Sequence, residues 1–303
     1  MSTHSWKGRT AVITGAASGF GLKTSRLAAQ QGMNVVMADV LEEPLAAAVK
    51  EIEALGVSVL SSRCDVRHAE EVEALGAATL ARFGVPNLVF NNAGVGAGGL
   101  IWEHTARDWD WVMGVNVMGV AHGVRVFTPM MLAAEKADPA YSGHIVNTAS
   151  MAGLVNMPNM GVYNVSKHAV VALSETLYQD LRLVSERVHA HVLCPYFVPT
   201  GIAHSERARP QDAQEDDRRA TTSQRVAQGL IEKAVAGGRV TAADVARLVF
   251  EALQAERFYI FSHPKALAPV ATRAEDIMAG TNPSDPYRER PELGEQLRAA
   301  LRR

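Results

Sequence analysis

Short apolar runs separated by stretches of helical periodicity repeat along most of this chain, and that alternation constrains the fold more than any other feature. The runs are Thr10–Thr14 (TAVIT), Asn34–Val40 (NVVMADV), Val57–Arg63, Leu88–Phe90, His144–Thr148, Val188–Cys194 (VHAHVLC) and Phe258–Phe261. Helices are predicted at Gly19–Gln31, stopped by Gly32, and from Glu42, with Pro44 in the first turn. Two longer ones are predicted at Ala106–Ala134 and Gly161–Ser185, before and after the fifth run. A nearly continuous apolar strand is one buried on both faces, and strands joined by helical crossovers pair in parallel. The predicted class is therefore α/β: a doubly wound, seven-stranded parallel sheet with helices on both faces, in a single domain.

The chain has 303 residues, and one core of this size buries roughly three quarters of the surface of its unfolded chain. Its net charge of -2 lacks the basic excess that nucleic-acid binding requires. Met1–Arg9 is polar, with no apolar signal core. The long uncharged stretch Ile145–Ser166 is broken by Asn147, Asn156, Pro158, Asn159 and Asn164, so no membrane span is expected. Cys64 and Cys194 are too few for a disulfide scaffold, and a cytoplasmic location is expected.

Beyond Pro195 the texture changes. Ser205–Arg225 is charged and weakly periodic, and helical patterns return at Val226–Ala236 and Ala242–Ala255. No second core-sized apolar block follows, so residues 195–240 are read as a mobile substrate-loop insertion in one domain spanning 1–264. Residues 265–303 are read as a helical extension: a helix, a proline-containing turn and a basic terminal helix.

The first strand runs into Thr14-Gly15-Ala16-Ala17-Ser18-Gly19-Phe20-Gly21 and then into a helix, the context that gives glycine spacing a meaning. Gly15 permits the tight turn, Gly19 lets backbone approach a pyrophosphate, and Gly21 lets the helix lie close on the sheet. Asp39 ends the second strand, 24 residues past Gly15, where a carboxylate accepts from both ribose hydroxyls and repels a 2′-phosphate. No Arg or Lys occupies Ala16–Phe20 or Val40–Glu43, so the expected cofactor is NAD(H) rather than NADP(H).

Tyr163 and Lys167 stand four residues apart and share a helix face. A phenol with a pKa near ~10 is a poor base at neutral pH unless a nearby cation stabilises the phenolate. So assisted, Tyr163 can take the proton of an alcohol or return it to a ketone. Ser150 closes the fifth strand, where its hydroxyl can hold the substrate oxygen. On its own a Tyr-x-x-x-Lys pair is more often a plain helix-surface pair.

The ordered set TGAASGFG at Thr14–Gly21, Asp65, Asn91-Asn92-Ala93-Gly94, Asn116, Ser150 and Tyr163-Asn164-Val165-Ser166-Lys167 resembles the short-chain dehydrogenase/reductase family, with Tyr163 13 residues beyond Ser150. The likeness runs from about Thr10 to Thr200 and more loosely to Pro264. It implies a Rossmann fold with a catalytic set of Asn116, Ser150, Tyr163 and Lys167. In that set Lys167 binds the nicotinamide ribose and lowers the Tyr163 pKa, and Asn116 anchors a water leading to Lys167. It also implies cofactor contacts from Gly15, Ser18, Gly19, Phe20, Gly21, Asp39, Asp65, Val66, Asn92, Ala93, Gly94, Pro195 and Thr200. Family strand order would place Cys64 and Cys194 far apart, and family assembly implies a homodimer or homotetramer through the long helices. The apolar runs Trp109–Val117 and Val170–Leu177 leave faces for that contact.

The sequence departs from the family at Tyr196, which follows Pro195 where glycine is usual, and this bears on the wall beside the nicotinamide. Met151, Leu154, Val155, Met157 and Met160 lie between Ser150 and Tyr163, and Tyr196 and Phe197 approach from another strand end. Met151, Met157, Met160, Tyr196 and Phe197 form the expected pocket of a bulky hydrophobic alcohol or ketone. His189 and His191 share a strand face without a third ligand nearby, so neutral histidines are expected and no metal. A nucleotide-binding regulator with this fold and little turnover is the alternative, and the complete Ser, Tyr, Lys and Asn set argues against it.

Overall fold

A computed structural model describes residues 5–209 and 219–302. The seven strands are β1 (Thr10–Thr14), β2 (Asn34–Asp39), β3 (Val59–Arg63), β4 (Leu88–Asn91), β5 (Gly143–Thr148), β6 (Val188–Cys194) and β7 (Tyr259–Phe261). All pair in parallel, in the order β3-β2-β1-β4-β5-β6-β7. The chain winds outward from β1 to β3, then restarts at β4 on the other side of β1. The direction of winding across the sheet therefore reverses between β1 and β4, and a crevice opens at their carboxyl ends.

Alternation along the strands divides the core in two. Ala11, Ile13, Val35, Met37, Leu88 and Phe90 face the side covered by α1 (Gly19–Gln30), α2 (Glu42–Glu53) and α8 (Ala242–Gln254). Val12, Val36, Val89, Ile145 and Ala190 face the opposite side, under α3 (Ala69–Phe83), α5 (Gly119–Ala137) and α6 (Gly161–Val184). Both faces of each central strand are thus dry, which is why these strands read as apolar runs rather than alternating ones.

The helix before β5 is continuous from Ala106 to Ala137 but contains one wider turn. It consists of α4 (Ala106–Met113), a π-helical turn at Gly114–Met118 and then α5. By length and composition it could cross a membrane, yet Val120, Phe127 and Met131 pack it onto the sheet. Within the runs expected to leave assembly faces, Trp111, Val112, Val170 and Val171 are buried in this chain, and the exposed large apolar residues of the long helices are Met118, Val165, Leu183 and Val184.

After β6 come a 3-10 stretch at Gly201–Ala208 and α7 (Thr222–Ala236). α7 begins four residues earlier than its periodicity suggests, because Thr221 and Gln224 form a capping box ahead of the apolar face. The centre of the charged stretch, residues 210–218, lies outside the described residues. The tail holds α9 (Ala268–Ala279) and α10 (Pro291–Leu301), joined through a turn in which Asp276 accepts from the N–H and hydroxyl of Ser284. Leu297 is buried and α10 packs on α7, so the tail is part of the body of the fold.

Cys64, just past β3, and Cys194, at the end of β6, are both buried and free, and four strands lie between β3 and β6. His191 is bonded at both ring nitrogens, to the Arg257 carbonyl and to His144, and burial lowers its pKa to about 4. It is a neutral core histidine.

Candidate active site

The crevice at the carboxyl ends of β1 and β4 widens into a single cleft of about 1290 Å3. Its floor is the glycine turn. Gly15 has φ +64, and a Cβ there would lie 2.9 Å from the Ala93 Cα, so the turn excludes any side chain at that point. A Cβ on Gly21 would run into the Gly15 carbonyl oxygen, which fixes how closely α1 starts above the strand. Thr14 ties the two strand ends together: its Oγ1 accepts from the Asn92 and Ala93 N–H groups at 3.0 and 3.1 Å. Asn92 Nδ2 returns a bond to the Thr14 carbonyl at 3.0 Å.

Ser18 stands in the N-cap position of α1 with extended backbone, but its side chain caps nothing. The first amides of α1 therefore remain directed at the cleft, where they favour an anion. Asp39 lies alongside. Its Oδ2 accepts from the Ala17 N–H and its Oδ1 from the Leu41 N–H, both at 3.0 Å, leaving each oxygen a further lone pair. Asp65 and Val66 line the far end, as expected, but Asp65 is gripped by a side chain that sequence spacing did not single out. Arg67 Nε and Nη2 reach both carboxylate oxygens, at 2.8 to 3.1 Å. Burial would raise the Asp65 pKa, but the hydrogen bonds and charge of Arg67 outweigh it and hold the pKa below the usual value.

At the other end three predicted residues meet. Ser150 leaves β5 and caps a short 3-10 turn, accepting from the Ala152 N–H at 3.1 Å and donating to the Pro195 carbonyl at 3.4 Å. Tyr163 and Lys167 project from the first turns of α6 into the same cleft. The Lys167 Nζ lies 5.7 Å from the centre of the Tyr163 ring and donates to the Thr148 carbonyl at 2.9 Å.

Burial raises the Tyr163 pKa, with a hydrogen bond to Ser150 pulling the other way. The Lys167 ammonium is buried as well: its pKa is pushed down to about 8, and it donates to the Thr148 carbonyl.

Asn116 sits in the π-helical turn, completely buried. Its Oδ1 accepts from the Val95 N–H at 2.8 Å, and its Nδ2 donates to the Val95 carbonyl and to Ser166 Oγ, each at 3.0 Å. Both amide donors are spent on protein, while Oδ1 keeps a second lone pair. The side chain lies close to Lys167. A Cβ on Gly94 would lie 3.4 Å from Asn116 Oδ1 and 3.5 Å from Lys167 Nζ.

Met151, Met157, Met160, Tyr196 and Phe197 all line the cleft, as does Val155, whereas Leu154 packs into the core behind it. Tyr196 does not need a glycine's conformation: its φ is not positive. Its N–H donates to Ser262 Oγ, and its ring turns outward to stand edge-on to Phe197 and His263. The side chain therefore borders the outer cleft. Pro195, Phe20 and Thr200 are also at the cleft, with Thr200 against Gly19. Two further contributors come from remote sequence: the tail supplies Tyr287, Leu293 and Leu297, and Arg207 reaches the phosphate turn.

A doubly wound parallel sheet with a glycine turn at its switch point and a Ser, Tyr and Lys cluster opposite defines a nucleotide-binding oxidoreductase class. The sequence model described as short chain dehydrogenase matches residues 9–211, and the chain belongs to that family. It is 32% identical over 279 residues to a CLA biosynthesis dehydrogenase/reductase of Lactiplantibacillus plantarum, covering 92% of this chain and 96% of that one. It is 36% identical over 273 residues to a 1-deoxy-11-beta-hydroxypentalenate dehydrogenase of Streptomyces exfoliatus, covering 89% and 88%. A short-chain dehydrogenase/reductase from Burkholderia phymatum, crystallised in complex with NAD, superposes with a TM-score of 0.90 at 51% identity, covering 94% of this chain and 99% of that one.

Proposed function

We propose that this oxidoreductase transfers a hydride between NAD(H) and a bulky hydrophobic secondary alcohol or ketone, with Tyr163 as acid/base. The observation that carries this reading is the convergence of Ser150, Tyr163 and Lys167 on one cleft whose opposite end is the glycine turn and Asp39. The residues fit the dinucleotide. Uncapped α1 amides suit a pyrophosphate, Asp39 has lone pairs left for ribose hydroxyls, and the Burkholderia relative was crystallised with NAD.

NAD supplies, when bound, a nicotinamide carbon that accepts or returns the hydride. The chain does the rest. Ser150 holds the substrate oxygen beside the Tyr163 hydroxyl, and Tyr163 removes the alcohol proton in oxidation or delivers it in reduction. Lys167, held by the Thr148 carbonyl, would bond the nicotinamide ribose and stabilise negative charge on the phenol oxygen. The cleft is larger than the roughly 300–1,000 Å3 of an ordinary ligand pocket, which suits a cofactor and a substrate together. The methionines and aromatics at its outer end favour an apolar body, and the hydroxyl in the name of the Streptomyces relative's activity supports an alcohol. The long helices pair between copies through the faces bearing Met118 and Val165, giving a homodimer or homotetramer.

The test is NADH formation at 340 nm with a panel of alicyclic and aryl alcohols, followed by Tyr163→Phe. The variant should lose roughly 10²–10⁴-fold in turnover while NADH fluorescence titration shows binding retained. Comparable rates in the two proteins would remove Tyr163 from the chemistry. Tight NADH binding with no turnover on any alcohol or ketone would favour a regulator.

A further inference from the structure

Arg207 lies far from the glycine turn in sequence, yet its Nη2 is 3.4 Å from Ser18 Oγ. The guanidinium also lies against the backbone of Gly201, so closely that a Cβ there would collide with it. It thus spans the gap between the N-cap of α1 and the residue after Thr200, at the edge of the cleft. It forms no ion pair with any described residue, and α1 has no acidic side chain in its first turn.

That position is electrostatically wrong for a lone cation. A helix N-terminus carries the equivalent of about half a positive charge, so a guanidinium beside it is repelled unless an anion lies between them. Chain entropy does not explain the placement either, because the segment is secured around Arg207. Ser205 Oγ accepts from the Gly96 N–H at 2.8 Å, and Gln228 Nε2 donates to the Ala203 carbonyl at 2.6 Å. Arg209 stacks 4.2 Å over the Trp111 ring and bonds Asp108 at 2.7 Å. The strap is bolted down on both sides of an exposed arginine aimed at the phosphate turn.

We propose that Arg207 clamps the pyrophosphate of the bound dinucleotide, closing from above the anion site whose floor is the α1 N-terminus. This rests on the dinucleotide reading given above. The recognised chemistry is a phosphate oxyanion, and a 2′-phosphate on the adenosine ribose is the other source of one. The pyrophosphate is favoured because the guanidinium lies between Ser18 and Gly201, whereas Asp39 borders the ribose side of the turn.

The experiment titrates the full-length protein with NADH, NADPH, ADP and adenosine, the last two by competition against NADH fluorescence. Wild type is compared with Arg207→Met and Arg207→Lys. Arg207→Met should weaken NADH and ADP about tenfold, the scale of one charge-assisted hydrogen bond, and leave adenosine unchanged. Arg207→Lys should recover part of the loss, and the ADP affinity of Arg207→Met should depend less on salt than that of wild type. Unliganded melting temperatures should coincide, since the side chain is exposed.

Unchanged NADH and ADP affinity overturns the clamp. So does a loss confined to NADPH, which would assign Arg207 to a 2′-phosphate, or an equal loss for adenosine, which would mark a structural effect. Wild-type protein that binds neither NADH nor ADP overturns the dinucleotide reading and the clamp with it.

Discussion

Lys167→Met separates the stability of this fold from its chemistry, because the ammonium is buried at a cost the folded state must carry. Lys167 is only 3% exposed, and its pKa falls from the usual 10.5 to about 8. At about 1.4 kcal/mol per pKa unit, the charged form is disfavoured by about 3 kcal/mol relative to the unfolded chain. Methionine has similar length and no charge, so it removes that penalty. It also removes the hydrogen bond to the Thr148 carbonyl, which is worth about 1 kcal/mol and leaves a buried acceptor unpaired. The balance favours the variant by about 1–2 kcal/mol, a rise in melting temperature of roughly 2–8 °C for a domain of this size. The sign depends on pH. Below about 8 lysine is charged in both states and the wild-type penalty is complete. Between about 8 and 10.5 the unfolded chain binds more protons than the folded one, so wild-type stability climbs with pH and the variant's advantage fades. Thermal unfolding at pH 7 and pH 9.5, beside NADH oxidation assays, reads both consequences: a more stable protein with its turnover lost. A variant that melts several degrees below wild type at pH 7 would refute the reasoning, since the ammonium would then be a net stabilising group.

Three further perturbations probe separate parts of the cleft. Asp39→Ala should erode the preference for NADH over NADPH in binding titrations, and an unchanged ratio of dissociation constants would mean that another group reads the ribose. Gly21→Ala forces a Cβ into the Gly15 carbonyl and should cost about 1–3 kcal/mol of stability together with a marked loss of NADH affinity; a wild-type melting curve would show that the turn can relax. Tyr287→Ala opens the wall built by the tail and should raise KM several-fold for bulky alcohols while leaving the NADH dissociation constant alone. A uniform change for propan-2-ol and for bulky alcohols would argue against a specificity role.

What the sequence discloses of this molecule follows from how local each feature is. The sequence pattern bounds β1 and β6 to the residue, because a strand buried on both faces carries apolar residues at successive positions, in β6 around two histidines. β3 was set two residues too early, since an edge strand with half-buried positions has a softer pattern. Ser150, Tyr163 and Lys167 fall on one strand end and one helix, so their spacing alone nearly determines how they meet. Arg67, Arg207 and Tyr287 carry no such signature. Arg207 and Tyr287 reach the cleft through tertiary docking, and Arg67 does so by folding back onto Asp65 two residues before it. Lys167 shows the same limit: spacing puts a cation near a phenol, but only packing decides that it bonds the Thr148 carbonyl and lies buried.

The two ends of the cleft are therefore built on different terms. The cofactor end uses backbone in positions that β1, β4 and α1 impose, where one extra methyl at Gly15 or Gly21 already collides with main chain. The opposite end is walled by the strap at Gly201–Ala208, by α7 and by the tail, which reach it from outside the sheet. Substitution there changes the shape of the cavity at little cost to the sheet, as Tyr196 illustrates by turning outward onto Phe197 and His263 without straining its backbone. The strap connects these regimes. It begins at Thr200 against Gly19, sends Arg207 to the phosphate turn and ends with Arg209 on Trp111 and Asp108 of α4. An anion at the turn and the substrate proposed above would therefore lie against one and the same segment.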